Sequence, residues 1–462
     1  MSRLAEVLSL CVLCILFFVF ASLHFITKKN IYPLINGLIV LFSIFLYRGK
    51  YRLYVLSFYI PLSKAMTINS LGIGSFLTWC CLIYLITCII ERLIKGEEFN
   101  YKEIVVFLSY LLFSIYIFVI DLINIADVSI KQYIGVFAYW SMLFAFLIDK
   151  RAEKSIFVLV LVFCFSQIFT NLFCVVFIYG FHQYTIPFLE TYIPNYVESF
   201  KNVGISSFRY PGLIGDSNHN GYQILFAVSL IILYLYKYKN NIWILALMLL
   251  LLLPFGFLGG SKTFFITLII LLAFSVIMVP IRSQYKFYFL ISASTIFLLA
   301  FIVFLSSPTL SKVILRFINI DMRVGVLDSL TTSRASIWTN YFSEFINDPL
   351  KFMTGHGARA AHLFNKDYHS AYIQALWEFG LIGTLLYCLY FGRFLINRTN
   401  IRNMITLLPL ILILFFGVTL HIIYEEGTFA GIFIYYLIAN DPDSISRVVV
   451  KTRRFQVYEI FI

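Results

Sequence analysis

A histidine and a small polar residue, His369-Ser370, stand immediately before a long apolar stretch, and strongly basic side chains precede similar stretches at Arg209, Lys262 and Arg334. An imidazole can accept a proton at neutral pH, which makes His369 a candidate general base. Cations fixed near helix starts, where backbone N–H groups also point outward, hold anions through charge-assisted bonds. Three of them suit a diphosphate. Each residue also has a plainer reading: Lys and Arg snorkel from the ends of membrane helices, and histidine is at home at that level. Asp216, Asn218, His219 and Asn220 read first as helix-capping residues, with Asn218 kept as a candidate substrate contact. His356, His362 and His369 share one stretch, but neither an H-E-x-x-H pattern nor a cysteine accompanies them, so no metal site is expected.

The elements that position these residues follow from composition. Of the 462 residues 61% are apolar and 13% are charged, which excludes an ordinary soluble core. Runs of about 20 apolar residues recur along the chain, enough to cross about 30 Å of hydrocarbon as helix. The spans read at approximately 5–25, 31–47, 52–67, 73–92, 104–122, 132–148, 155–180, 220–236, 242–258, 263–281, 287–307, 373–396, 404–422 and 425–439. The expected fold is all-α: one polytopic membrane bundle over residues 1–462 with about 12 to 14 transmembrane helices. The net charge of +12 does not point to nucleic acid, because the basic residues sit in short connections. They include Arg48, Lys50 and Arg52, then Arg92 and Lys95, Lys150 and Arg151, Arg393 and Arg398, and Arg453 and Arg454. The positive-inside rule then puts both termini in the cytoplasm and turns two long loops, about 181–219 and 308–371, outward. All eight cysteines fall inside the spans, so neither a disulfide framework nor a thiol nucleophile is expected.

Within the longer loop, Ser333 to Asp348 reads as an amphipathic helix with Ile337, Trp338, Tyr341, Phe342, Phe345 and Ile346 on one face. Ser333 is its expected N-cap and Pro349 its end. In the span after His369, an unbroken helix would bring Gly380 within about 20° and Gly383 within about 40° of that residue, one stripe of close approach. Glu378, about two turns in, is expected to hydrogen-bond between helices.

Several ordered segments can be read together. They are Arg209-Tyr-Pro-Gly-Leu-Ile-Gly-Asp-Ser-Asn218 opening a span, Gly260-Ser-Lys262-Thr between spans, Ser333-Arg334 with Trp338, Gly355-His-Gly357, His369-Ser370 and Gly380-Leu-Ile-Gly383. Over roughly residues 200 to 390 this set resembles the O-antigen polymerase and O-antigen ligase superfamily of bacterial envelope enzymes. The resemblance implies an inner-membrane glycosyltransferase that takes a polyprenyl-diphosphate-linked oligosaccharide at the outer face, with no cofactor and no metal. It implies His369 as the base that deprotonates the acceptor hydroxyl, with Arg334 and Lys262 holding the diphosphate, and Arg209 and Asn218 binding substrate. A chain-length regulator and a flippase are the partners it allows. Where the family usually has arginine, this chain has Lys262, which keeps the charge but loses the bidentate fork. The many spans and the high Phe, Tyr and Ile content resemble the polymerases, with the ligase as the alternative. From another class, a flippase or transporter would be expected to show discontinuous helices and ionisable groups near the midplane.

Overall fold

The computed structural model describes residues 3–27, 29–46, 52–68, 74–124, 130–149, 155–176, 210, 212–213, 216–259, 261–278, 334–358, 360, 368–396, 404–420, 422–424 and 426–441. Arg209, Ser333, His362, the span expected at 287–307, most of both long loops and the basic C-terminal tail lie outside them.

The described chain is helical almost throughout. The α-helices in order are α1 (Arg3–Thr27), α2 (Ile31–Leu46), α3 (Arg52–Tyr59), α4 (Phe76–Lys95), α5 (Tyr101–Asn124), α6 (Ile130–Ile148) and α7 (Ile156–Val175). There follow α8 (Ser217–Tyr238), α9 (Ile242–Leu258), α10 (Lys262–Met278), α11 (Arg334–Asn347), α12 (Pro349–Thr354), α13 (Ala371–Leu395), α14 (Leu408–Thr419) and α15 (Glu426–Asn440). The only strands among the described residues are Thr67–Ile68 and Gly74–Ser75, paired antiparallel with Thr67 opposite Ser75. Among the described residues five helices, α4, α5, α7, α8 and α13, are long and apolar enough to cross a membrane, and six shorter apolar helices accompany them. The chain is therefore an all-α protein of membrane type.

Local chemistry sets the helix ends. Asn100 and Glu103 form a reciprocal cap at the start of α5, each side chain accepting the other's backbone N–H at 2.9 Å. The stretch read as a span at 52–67 is not one helix: α3 stops at Tyr59 and a 3-10 turn runs over Ile60–Met66. Pro61 explains this, because its ring disfavours α backbone at Ile60 and it has no N–H to donate.

Of the five long helices α8 is the most enclosed, its apolar window 72% buried; it packs against α7, α9, α10, α14 and α15. Away from the candidate site the bundle is fastened by buried ion pairs. Arg52 reaches Glu91 with both guanidinium nitrogens, at 3.0 and 3.1 Å, and Arg92 reaches Glu103 at 2.9 Å.

Candidate functional site

The candidate residues fall into two local groups. The first is built on α11, α12 and the start of α13. Arg334 begins α11 and is half-buried; one turn later Trp338 turns its indole to the bundle. Trp338 Nε1 donates to the carbonyl of Tyr368, the residue before His369, at 3.2 Å. Tyr341 continues the contact, its ring 4.8 Å from that of Tyr368. The apolar face of α11 is narrower than the sequence suggests: Tyr341 and Phe345 are buried with Ile337 and Trp338 against them, whereas Phe342 and Ile346 are exposed. Pro349 ends this helix and also opens the next, α12, whose N-cap Asp348 accepts from Lys351 N–H at 3.0 Å.

His369 adopts a left-handed backbone, φ +47°, directly ahead of α13. Such a conformation is uncommon outside glycine, though His, Asn and Asp take it more readily than other residues. It turns the chain at the mouth of the helix. Ser370, extended and buried, is the N-cap residue, and its hydroxyl donates to the carbonyl of Gly417 in α14 at 3.3 Å. His369 is thus held from both sides by its neighbours: Tyr368 by α11 and Ser370 by α14.

The second group joins the starts of α8 and α10. Asp216 caps α8, accepting from the N–H groups of Asn218 at 2.6 Å and His219 at 3.1 Å, so capping explains this acidic residue as expected. Asn218 has a further role: its Oδ1 accepts the hydroxyl of buried Ser261 at 2.6 Å. Ser261 Oγ in turn accepts Phe264 N–H at 3.3 Å, which places half-buried Lys262 in the first turn of α10. Tyr210 N–H donates to Leu258 at the end of α9, binding the segment before α8 to the same break. Between the two groups, α14 packs against α8, α10 and α13.

One expectation fails. The stripe joining His369, Gly380 and Gly383 assumed a continuous helix, but Gly380 has φ +66° and ψ −178°, so α13 is two helical pieces meeting at that residue. Into the break comes the backbone of the Gly355-His356-Gly357 segment. His356 N–H donates to Trp377 carbonyl at 3.0 Å and Gly357 N–H to Glu378 carbonyl at 2.8 Å. A Cβ on Gly380 would lie closer than 3.0 Å to the backbone of residues 353–355, and one on Gly355 closer than that to residues 378–380. Gly383 instead receives the ring of Tyr116 from α5. Glu378 is fully buried, and its Oε1 accepts Gln374 Nε2 of its own helix at 3.2 Å.

Several participants lie outside the site residues expected from the sequence. His356 stacks on Trp377 with ring centroids 3.8 Å apart and 7° between planes. Its Nδ1 lies 2.9 Å from the Trp377 carbonyl, which can only accept, so Nδ1 carries the proton. Trp377 Nε1 donates to Glu344 of α11 at 3.2 Å. Glu344, Phe345, Asn347, Asp348, Lys351 and His356 line a small pocket of about 250 Å³. On α5, Tyr116, Asp121 and Asn124 each bond to the backbone of the 354–358 segment. Comparison with known proteins finds no family model that matches the chain and no curated protein that matches its sequence.

Proposed function

We propose that the chain is a polysaccharide polymerase of the bacterial inner membrane that joins polyprenyl-diphosphate-linked repeat units at the outer face. In this reading it spans the bilayer about 12 to 14 times with both termini cytoplasmic, and α11 to the mouth of α13 face outward. The observation that carries it is the hydrogen bond from Trp338 to Tyr368, which ties the helix that begins with Arg334 to the residue adjoining His369. His369 takes the proton of the acceptor hydroxyl as that oxygen bonds to the anomeric carbon of the donor sugar. The anomeric C–O bond breaks in the same step, the electron pair leaves with the diphosphate, and Arg334 and Lys262 offset its charge. Attack opposite the leaving group inverts the anomeric configuration.

A transporter is the second reading, and the break in α13 together with buried Glu378 favours it. The filling of the break argues against it. Gly383 faces Tyr116, and Gly355 meets Asn124, the last residue of α5. Phe379, beside the break, packs on Phe113 of α5 and Trp140 of α6. The chain's own backbone fills the break.

The test is the polysaccharide ladder of a strain carrying point variants. His369→Ala and Arg334→Ala are expected to leave single repeat units with no long chains, the protein remaining in the membrane. Lys262→Arg is expected to keep the ladder and Lys262→Ala to lose it. A normal ladder in His369→Ala removes the assigned base, and full activity in Lys262→Ala removes the diphosphate role of that residue.

A further inference from the structure

We infer that α5 is the positioning element of this site and that Asp121 is its principal positioning residue, an inference that rests on the proposed function for what is being positioned. None of the motifs discussed above includes α5. An ionisable side chain inside an apolar helix is costly unless it has a partner, and Asp121 is 3% exposed. Its partner is a backbone group far along the chain: Asp121 Oδ1 accepts Ala358 N–H at 2.7 Å. Two more residues of the same helix reach the same segment. Tyr116 OH donates to Thr354 carbonyl at 2.9 Å, and Asn124 Nδ2 donates to Gly355 carbonyl at 3.0 Å. Lys351 Nζ donates to Asn124 Oδ1, completing the attachment from α12.

From that segment the connection runs on through named bonds. His356 is stacked on Trp377 and bonded to its carbonyl, Trp377 holds Glu344 of α11, and α11 holds the Tyr368 carbonyl through Trp338. Fixing residues 354–358 on α5 therefore fixes the helix that carries Arg334 against the turn that carries His369. Asp121 acts only as an acceptor in this scheme. Asparagine presents the same carbonyl-type oxygen, so Asp121→Asn keeps the bond and Asp121→Ala removes it.

Hydrogen exchange of the full-length protein in lipid nanodiscs, read on the peptide covering residues 354–358, tests the inference alongside the polysaccharide ladder. In Asp121→Ala the Ala358 amide is expected to exchange about fivefold faster or more, with a shortened ladder, while Asp121→Asn stays near wild type in both. Unchanged exchange in Asp121→Ala overturns the inference, as does an Asn variant no better than Ala, which would assign the charge itself a role. Faster exchange with a normal ladder overturns it too. If Asp121→Ala does not accumulate in the membrane, Asn124→Ala, which removes the Gly355 and Lys351 contacts, is read by the same criteria. A loosened segment in Asp121→Ala beside an unaffected ladder in His369→Ala would instead fault the glycosyl-transfer reading.

Discussion

Trp338 serves the segment ahead of α13 in two ways: its ring packs in the cluster of Tyr341, Tyr368 and Trp377, and its N–H satisfies the Tyr368 carbonyl. The two can be separated. Trp338→Phe keeps most of the packing and removes the donor, which is worth about 0.5–1.5 kcal/mol. Polymerisation by the purified variant in vesicles should therefore slow by up to about tenfold while the protein stays folded. A rate equal to wild type would mean that the hydrogen bond does not position His369. At this scale much was legible. Asp216 as a cap follows from residue type and spacing, because a cap is made within four residues. The left-handed backbone of His369 was not, since a φ value leaves no mark on composition when the residue is not glycine. Nor was Asp121, whose partner is 237 residues away.

Among the elements, α13 departs most from its sequence. A hydropathy reading sees one apolar run at about 373–396 and counts 100° per residue along it, but Gly380 interrupts the count. The glycine is required twice, by its φ of +66° and by the backbone of residues 353–355 pressed against it. Gly380→Ala should thus push the 354–358 segment off the helix, and the variant is expected to lose long chains and to become sensitive to protease between α12 and α13. Gly392, which has open space around its Cβ position, is the matched control: Gly392→Ala should be tolerated. Protease resistance in Gly380→Ala equal to that control would show that the contact is not obligatory. The break was hidden because Gly380-Leu-Ile-Gly383 reads equally well as a stripe of small residues on a continuous helix.

For the molecule as a whole, apolar packing around α8 is supplemented by a few buried ion pairs. Arg92 and Glu103 are both about 4% exposed, so removing Arg92 strands a buried carboxylate at a cost of about 3–5 kcal/mol, whereas without Glu103 the arginine keeps its longer contact with Glu97 at 3.7 Å. Arg92→Ala and Glu103→Ala should each lower the thermal midpoint of the detergent-solubilised protein. The double variant should lose less than the sum of the two, and strict additivity would mean the pair is not coupled. Arg52 adds a consequence in time. Its partner Glu91 lies 39 residues later, so during synthesis at about 5–20 residues per second the arginine waits roughly 2 to 8 s for its carboxylate. Until then Arg52 flanks an emerging apolar segment without that carboxylate, and in the proposed topology its charge would hold that end on the side of synthesis. Only after α4 arrives can the same charge pair with Glu91 between helices, so in that topology one guanidinium would serve first as an address and then as a rivet.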